Sequence, residues 1–339
     1  MKKKIIVTGG AGYIGSHTVV ELFNAGFEPV IVDNFSNADK SVVERINEIT
    51  GSNITLHEGD CCDEGFLRKM IEAEGEIDGF IHFAAYKAVG ESVKKPLEYY
   101  RNNFDSLLIV LKVMMDSSIP HFVFSSSCTV YGQAEVLPVT EETPVQKQES
   151  PYGNTKKVCE EMINDAVNSG AKLKCISLRY FNPIGAHSSA RIGELPLGVP
   201  QNLVPFITQT AAGIREQLTV FGDDYDTPDG TCIRDYIHVV DLAKAHVKSL
   251  EYLEAEKSEN FYDVFNVGTG KGNSVLEVIK AFEKASGKNL KYVIGPRRAG
   301  DIVQIYGNVD KANKLLGWKT ELSIEDSLRD AWEWEKRLA

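Results

Sequence analysis

The segment Ser150-Pro151-Tyr152-Gly-Asn-Thr-Lys156 carries the most direct chemical potential in the chain. Serine is a good N-cap and proline is acceptable at the first helical position, so a helix over 151–168 is expected. Tyr152 and Lys156 then stand one turn apart on the same face. An ammonium ~6.5 Å from a phenol oxygen, at an effective dielectric of ~20, favours the phenolate by roughly 2.5 kcal/mol. That is almost two pKa units, which moves a tyrosine from ~10 toward the range of a general base. Upstream lies FVFSSSCTVYG, an apolar run ending in Ser125, Ser126 and Ser127. If the run is a strand of a parallel sheet, its C-terminal end faces a ligand cleft. A serine there can hold a reacting alcohol oxygen and share a proton with Tyr152. Ser127 is the candidate, and the other two serines are expected to be structural.

A second constellation follows the first apolar run: Thr8-Gly9-Gly10-Ala11-Gly12-Tyr13-Ile14-Gly15, then the helix-like HTVVELFNAG. Gly9 permits a tight turn, Gly12 lets backbone approach a diphosphate, and Gly15 lets helix and sheet pack closely. The helix start adds free N–H groups and a partial positive charge. A further apolar run ends at Asp33, where a carboxylate accepts from a ribose diol and repels a 2′-phosphate, favouring NAD over NADP. Asp60, after a third run, is placed to meet an adenine edge.

These groups need a frame. Short apolar runs at 4–8, 29–33, 54–58, 79–83, 121–125 and 173–178 read as strands buried on both faces. Helix-length segments at 14–25, 40–50, 64–73, 93–115 and 151–168 separate them. The alternation predicts an α/β fold: a Rossmann-like, doubly wound parallel sheet. After about residue 181, Gly and Pro become frequent and the alternation weakens, which predicts a smaller mixed α/β lobe with long loops of the kind that often carry function. The expected division is a dinucleotide-binding domain over 1–181, rejoined by about 234–267, and a second domain over 182–233 and 268–339.

The chain has 339 residues, 43% of them apolar and 25% charged, with a formal net charge of −11. Such length suits two lobes, and the balance is that of an ordinary globular protein. The acidic excess argues against nucleic-acid or anionic-membrane partners. The six cysteines, Cys61, Cys62, Cys128, Cys159, Cys175 and Cys232, form no C-x-x-C, and the adjacent pair makes poor disulfide geometry. No metal is expected. Buried free thiols, a short apolar start and no long apolar stretch point to the cytoplasm.

TGGAGYIG, Asp33, SSSCTVYG and the Tyr152–Lys156 pair together resemble an extended short-chain dehydrogenase/reductase. AAYKAVGESVKKPLEYY, YFNPIGAH, GTCIRDYIHVVDLA and GPRRAGD narrow the resemblance to the UDP-glucose 4-epimerase family, from about Lys4 to Trp318. The resemblance implies that Tyr152 takes the proton of a sugar 4-hydroxyl while the C4 hydride passes to NAD. Lys156 would hold the nicotinamide ribose and Ser127 would help move the proton. The 4-keto sugar then turns over and is reduced on its other face, so NAD is tightly bound and regenerated each cycle. By the same resemblance Gly9, Gly12, Tyr13, Ile14, Gly15, Asp33, Asn34, Phe35, Asn37, Asp60, Cys61, Phe83, Ala84, Ala85, Lys87, Asn102, Ser127, Tyr152, Lys156 and Phe181 are cofactor contacts. Ser127, Tyr152, Asn182, Asn202, Leu203, Phe221, Arg234, Tyr236, Arg298 and Asp301 are UDP-sugar contacts. A homodimer is implied, built from 93–115 and the helix after Tyr152.

Two positions depart from the family pattern. Cys128 stands where alanine is common and is read as packing. Ile305 stands where the family limits room beside the sugar 2-position, with small residues accompanying N-acetyl acceptance and tyrosine accompanying rejection. A 4,6-dehydratase needs an Asp-Glu pair after the active-site Ser or Thr, and Ser127-Cys128-Thr129-Val130 has no carboxylate. The alternatives are an epimerase of another UDP-sugar and a non-catalytic NAD-binding sensor.

Overall fold

Seven strands with near-continuous apolar sequence lie side by side in one parallel sheet. In spatial order they are Phe261–Val267, Lys174–Tyr180, His121–Ser125, Gly79–His82, Lys4–Thr8, Glu28–Asp33 and Thr55–Glu58. Every pairing between neighbours is parallel. The computed structural model describes residues 2–298 and 301–338, so Ala299 and Gly300 of the GPRRAGD string lie outside the described residues. Helices cover both faces because the strands present apolar side chains to each: Val7, Ile31 and Val123 pack on one side, Ile6, Val30 and Phe122 on the other.

The chain reverses direction across the sheet between Lys4–Thr8 and Gly79–His82. A crevice therefore opens at the strand C-termini there, the place where such sheets hold ligands. The last strand, Phe261–Val267, falls within the stretch expected to rejoin the sheet, and the Val239–Ala255 helix packs against Tyr13–Asn24 beside it. Apart from Phe261–Val267, the described residues beyond Tyr180 make only short sheets, among them Asn182–Ile184 with Tyr236–His238, and Ile233–Arg234 between Asn273–Ser274 and Gln304–Ile305.

One sequence expectation changes. The helix expected over 93–115 is two helices, Val89–Lys94 and Pro96–Asp116. Pro96 opens the second, and Lys95 before it sits at φ −129, ψ 52, outside the helical region. A proline has no N–H to continue a helix and disfavours helical geometry in the residue before it.

Candidate active site

The Pro151–Asn168 helix starts where its sequence says it should, with Ser150 Oγ accepting from the Gly153 N–H at 3.2 Å and proline in the first turn. It is clamped to the Pro96–Asp116 helix by Asn103, whose Nδ2 donates to Thr155 Oγ1 at 3.0 Å. This lays Tyr152 and Lys156 against the end of the His121–Ser125 strand, 7% and 3% exposed. The Lys156 ammonium donates to the Ser125 carbonyl at 2.6 Å and lies 6.0 Å from the Tyr152 ring centre.

The three serines diverge in use. Ser125 shares a proton with Tyr180 at 2.7 Å, and Ser126 donates to Glu160 at 2.5 Å. Ser127 caps the short Cys128–Tyr131 turn, accepting from the Thr129 N–H at 3.2 Å, and its hydroxyl lies beside the Tyr152 phenol. Cys128 is buried there, in reach of Arg234 and Asp235.

Electrostatics reverse one expectation. Burial is the largest influence on Tyr152 and pushes its phenol well above the ordinary value, with Ser127 pulling weakly the other way. Lys156 itself is lowered to about 8, first by burial, with Cys159 and Glu160 opposing. At this depth the cost of charging a desolvated phenol dominates, so the Lys156 ammonium, 6.0 Å from the ring centre, does not by itself make the phenolate.

The glycine loop is a cradle that side chains would fill. Gly9 adopts φ +70, and a Cβ there would lie 2.9 Å from the Ala84 backbone nitrogen. A Cβ on Gly15 would lie 2.2 Å from the Gly9 carbonyl oxygen. The Tyr13–Asn24 helix begins at Gly12 with no side-chain cap, so its first N–H groups are available. Asp33 anchors the loop by accepting from the Ala11 N–H at 3.0 Å and the Phe35 N–H at 2.9 Å. Burial raises its pKa, and those two N–H groups oppose the rise. A bare backbone cradle at an uncapped helix start, with a carboxylate at the next strand end, fits a dinucleotide: the loop and Ile14 at the diphosphate, Asp33 at a ribose.

The other residues expected to touch the cofactor surround this cradle unevenly. Asn34 Nδ2 donates to Asp60 at 3.1 Å, and Cys61 is buried in the same turn. Asn37 is exposed, as is Lys87. Phe83 stacks 4.7 Å from His246, half-buried Ala84 and Ala85 follow it, and Asn102 donates to Asn103 at 3.1 Å. Tyr13 turns away from the loop to donate to the Gly185 carbonyl at 2.7 Å. Phe181 is buried beneath Gly268 and Gly307.

The expected UDP-sugar residues form two groups. Arg298 pairs with Asp301 at 2.7 Å and stands over the Phe221 ring at 5.6 Å; Arg234, Arg298 and Asp301 all act on buried Tyr236. Ile305, 2% exposed, pairs in register with Arg234 and packs among Cys128, Tyr131 and Phe181. Asn202, just before the Leu203–Ala211 helix, instead donates to Glu194 at 2.5 Å. Asn182 donates its N–H to the Asp235 carbonyl at 2.9 Å, joining strand ends between the groups.

Sequence reasoning missed several polar partners here. Arg179 and Glu160 form a buried ion pair behind the serines, with Nη2···Oε2 at 2.6 Å, and Arg179 also donates to Tyr131 at 3.2 Å. Glu194 lies under Asn202 within electrostatic reach of Tyr13 and Lys87. The only sequence signal for Glu160 was its position one turn after Lys156; Arg179 and Glu194 carried none.

A family model described as GDP-mannose 4,6 dehydratase matches residues 6–331. The UDP-glucose 4-epimerase of Haemophilus influenzae is 49% identical over 332 residues, covering 98% of this chain and 97% of that one. The solved UDP-glucose 4-epimerase of Bifidobacterium longum, in complex with NAD+ and UDP, superposes with TM-score 0.94 at 47% identity, covering 99% and 98%. That of Stenotrophomonas maltophila, with bound NAD and formylated UDP-arabinopyranose, gives TM-score 0.95 at 46% identity, covering 99% and 98%. The chain belongs to the UDP-glucose 4-epimerase family. The broader model's dehydratase label does not fit the site, since the Cys128–Tyr131 turn after Ser127 offers no carboxylate. Among the described residues no helix is long and apolar enough to cross a membrane.

Proposed function

We propose that this chain interconverts UDP-glucose and UDP-galactose by inverting C4 of the sugar. The observation that carries the reading is Tyr152, Lys156 and Ser127 gathered at the end of the His121–Ser125 strand, one strand from the switch point where the glycine cradle opens. When bound, NAD supplies a hydride acceptor and donor for C4 and a positive ring charge beside the phenol. Tyr152 accepts the 4-hydroxyl proton and returns it. Lys156, fixed by the Ser125 carbonyl, orients the cofactor's ribose and adds its charge. Ser127 holds the sugar oxygen during transfer. Arg234 and Arg298 clamp the diphosphate with charge-assisted bonds.

In this reading residues 1–181 and 234–267 hold the dinucleotide, while 182–233 and 268–339 hold the UDP-sugar. The enzyme is a cytoplasmic homodimer. Leu97, Leu108 and Met115 stand exposed on the Pro96–Asp116 helix, spaced 11 and 7 residues apart on one face, which suits burial against a second copy. Sedimentation as a monomer at micromolar concentration removes the dimer.

Ile305, buried among Cys128, Tyr131 and Phe181, is intermediate in size between the small residues that accompany N-acetyl acceptance and the tyrosine that accompanies rejection. Turnover of UDP-GlcNAc measured beside UDP-glucose decides the broader specificity, and no N-acetyl turnover removes it.

The deciding experiment incubates purified protein with UDP-galactose, without added NAD, and looks for UDP-glucose by chromatography. Product only after NAD is supplied removes cofactor retention. No product under either condition removes the function.

A further inference from the structure

Asp60, Cys61 and Cys62 make the turn between the Thr55–Glu58 strand and the Glu64–Glu74 helix, closed by the Asp63 N–H donating to the Asp60 carbonyl at 3.0 Å. The turn folds so that an Asp60 carboxylate oxygen and both sulfurs lie within 4.8 Å of one another. Among the described residues it is the one group of three or more His, Cys, Asp or Glu side chains so arranged. Cys61 is buried, Cys62 half-buried and Asp60 exposed, so the group opens to solvent on its carboxylate side. Both thiols are free, and the Cys62 thiol is aimed at the Asn102 carbonyl at 3.7 Å. Neither thiol has a part in the sugar chemistry. Sequence spacing offered no metal motif, because the donors are three consecutive residues brought together by a turn.

We propose that Asp60, Cys61 and Cys62 bind a thiophilic divalent cation of the zinc class, in competition with the adenosine end of the dinucleotide. Tetrahedral zinc, with metal–sulfur bonds of about 2.3 Å, sets sulfur–sulfur separations near 3.8 Å. Donors within 4.8 Å of one another therefore need to close by no more than about 1 Å between the sulfurs and about 1.3 Å between sulfur and carboxylate oxygen. Two thiolates and a carboxylate are three ligands, leaving the fourth position to water. Thiolate donors favour this class over magnesium or calcium. On binding, two S–H bonds break, two metal–sulfur bonds form and two protons leave to solvent, with no change of oxidation state.

The competition follows from what the same atoms now hold. Asp60 Oδ2 accepts from Asn34 at 3.1 Å and Oδ1 from the Cys62 N–H at 2.8 Å. A cation takes an Asp60 oxygen and draws Cys62 away from Asn102. Asn34, Asp60, Cys61 and Asn102 are the positions given to the cofactor, so this half rests on the proposed function; the ion site does not.

The test titrates Co2+ into the reduced holoenzyme, following thiolate-to-cobalt absorption in the near ultraviolet, proton release in weak buffer, and NAD set free on ultrafiltration. A saturable band is expected, with one ion and two protons per chain and NAD released in step. Cys62→Ala, outside the assigned cofactor and catalytic residues, is expected to turn over normally in metal-free buffer and to lose cobalt affinity by ~100-fold or more. Should that variant not fold, Cys62→Ser repeats the measurement with a side chain closer in size. No band in the unaltered protein, or a Cys62 variant that titrates like it, overturns the site. A band with protons but no released NAD overturns the competition and leaves the epimerase reading untouched.

Discussion

Glu160→Gln isolates the buried charge behind the serines. The substitution keeps the shape and an oxygen for the Ser126 hydroxyl, but leaves Arg179 cationic at 7% exposure with its carboxylate partner gone. Burial pulls the Arg179 pKa down, yet the Glu160 carboxylate and the Tyr131 hydroxyl outweigh it and hold it above the ordinary value. Removing one partner of such a pair costs about 3–5 kcal/mol. For 339 residues, an unfolding entropy of about 0.7 kcal/mol per degree turns that into a Tm lower by about 4–7 °C. Adding Arg179→Met removes the stranded cation and is expected to recover at least ~2 kcal/mol, read as the coupling energy of a double-mutant cycle. The pair also flanks catalysis: Glu160 holds Ser126, and Arg179 holds Tyr131 at the far end of the turn that Ser127 caps. Turnover of Glu160→Gln should fall ~10-fold or more with KM within ~2-fold, since position rather than binding is lost. Thermal unfolding and UDP-galactose kinetics on the three variants test this. Single variants that each cost under ~1 kcal/mol, with an additive double, refute the reasoning.

Tyr152→Phe removes the proposed proton acceptor and should lower epimerisation ~10²–10⁴-fold while bound dinucleotide persists, checked by product chromatography and extraction of the cofactor. Lys156, lowered to about 8 chiefly by burial, faces Tyr152, Cys159 and Glu160 from its own helix and His82 from the next strand. Because its folded value lies below its unfolded one, the chain bears the full penalty of its charge below about 8 and gains stability as pH rises through the window above; kcat/KM, which needs the charge, should fall on an alkaline limb near 8. A profile flat to about pH 9 contradicts this. Gly15→Ala sets a Cβ 2.2 Å from the Gly9 carbonyl oxygen and should yield protein without bound NAD, measured by absorbance after denaturation.

The elements that position the site were legible in the sequence because their signals are local. A glycine triplet between a strand and a helix, a Ser-Pro helix start and β-branched runs depend on nearby residues and survive being read one segment at a time. The glycine cradle and the Pro151–Asn168 helix are therefore where their residues imply. Only the tertiary structure decided how deeply Tyr152 is buried, and burial reversed the expected direction of its pKa. It alone joined Tyr131 to Asn266, 135 residues away, and turned two adjacent cysteines toward Asp60 and Asn102. Desolvation and long-range pairing are properties of packed neighbours, and a linear pattern contains neither.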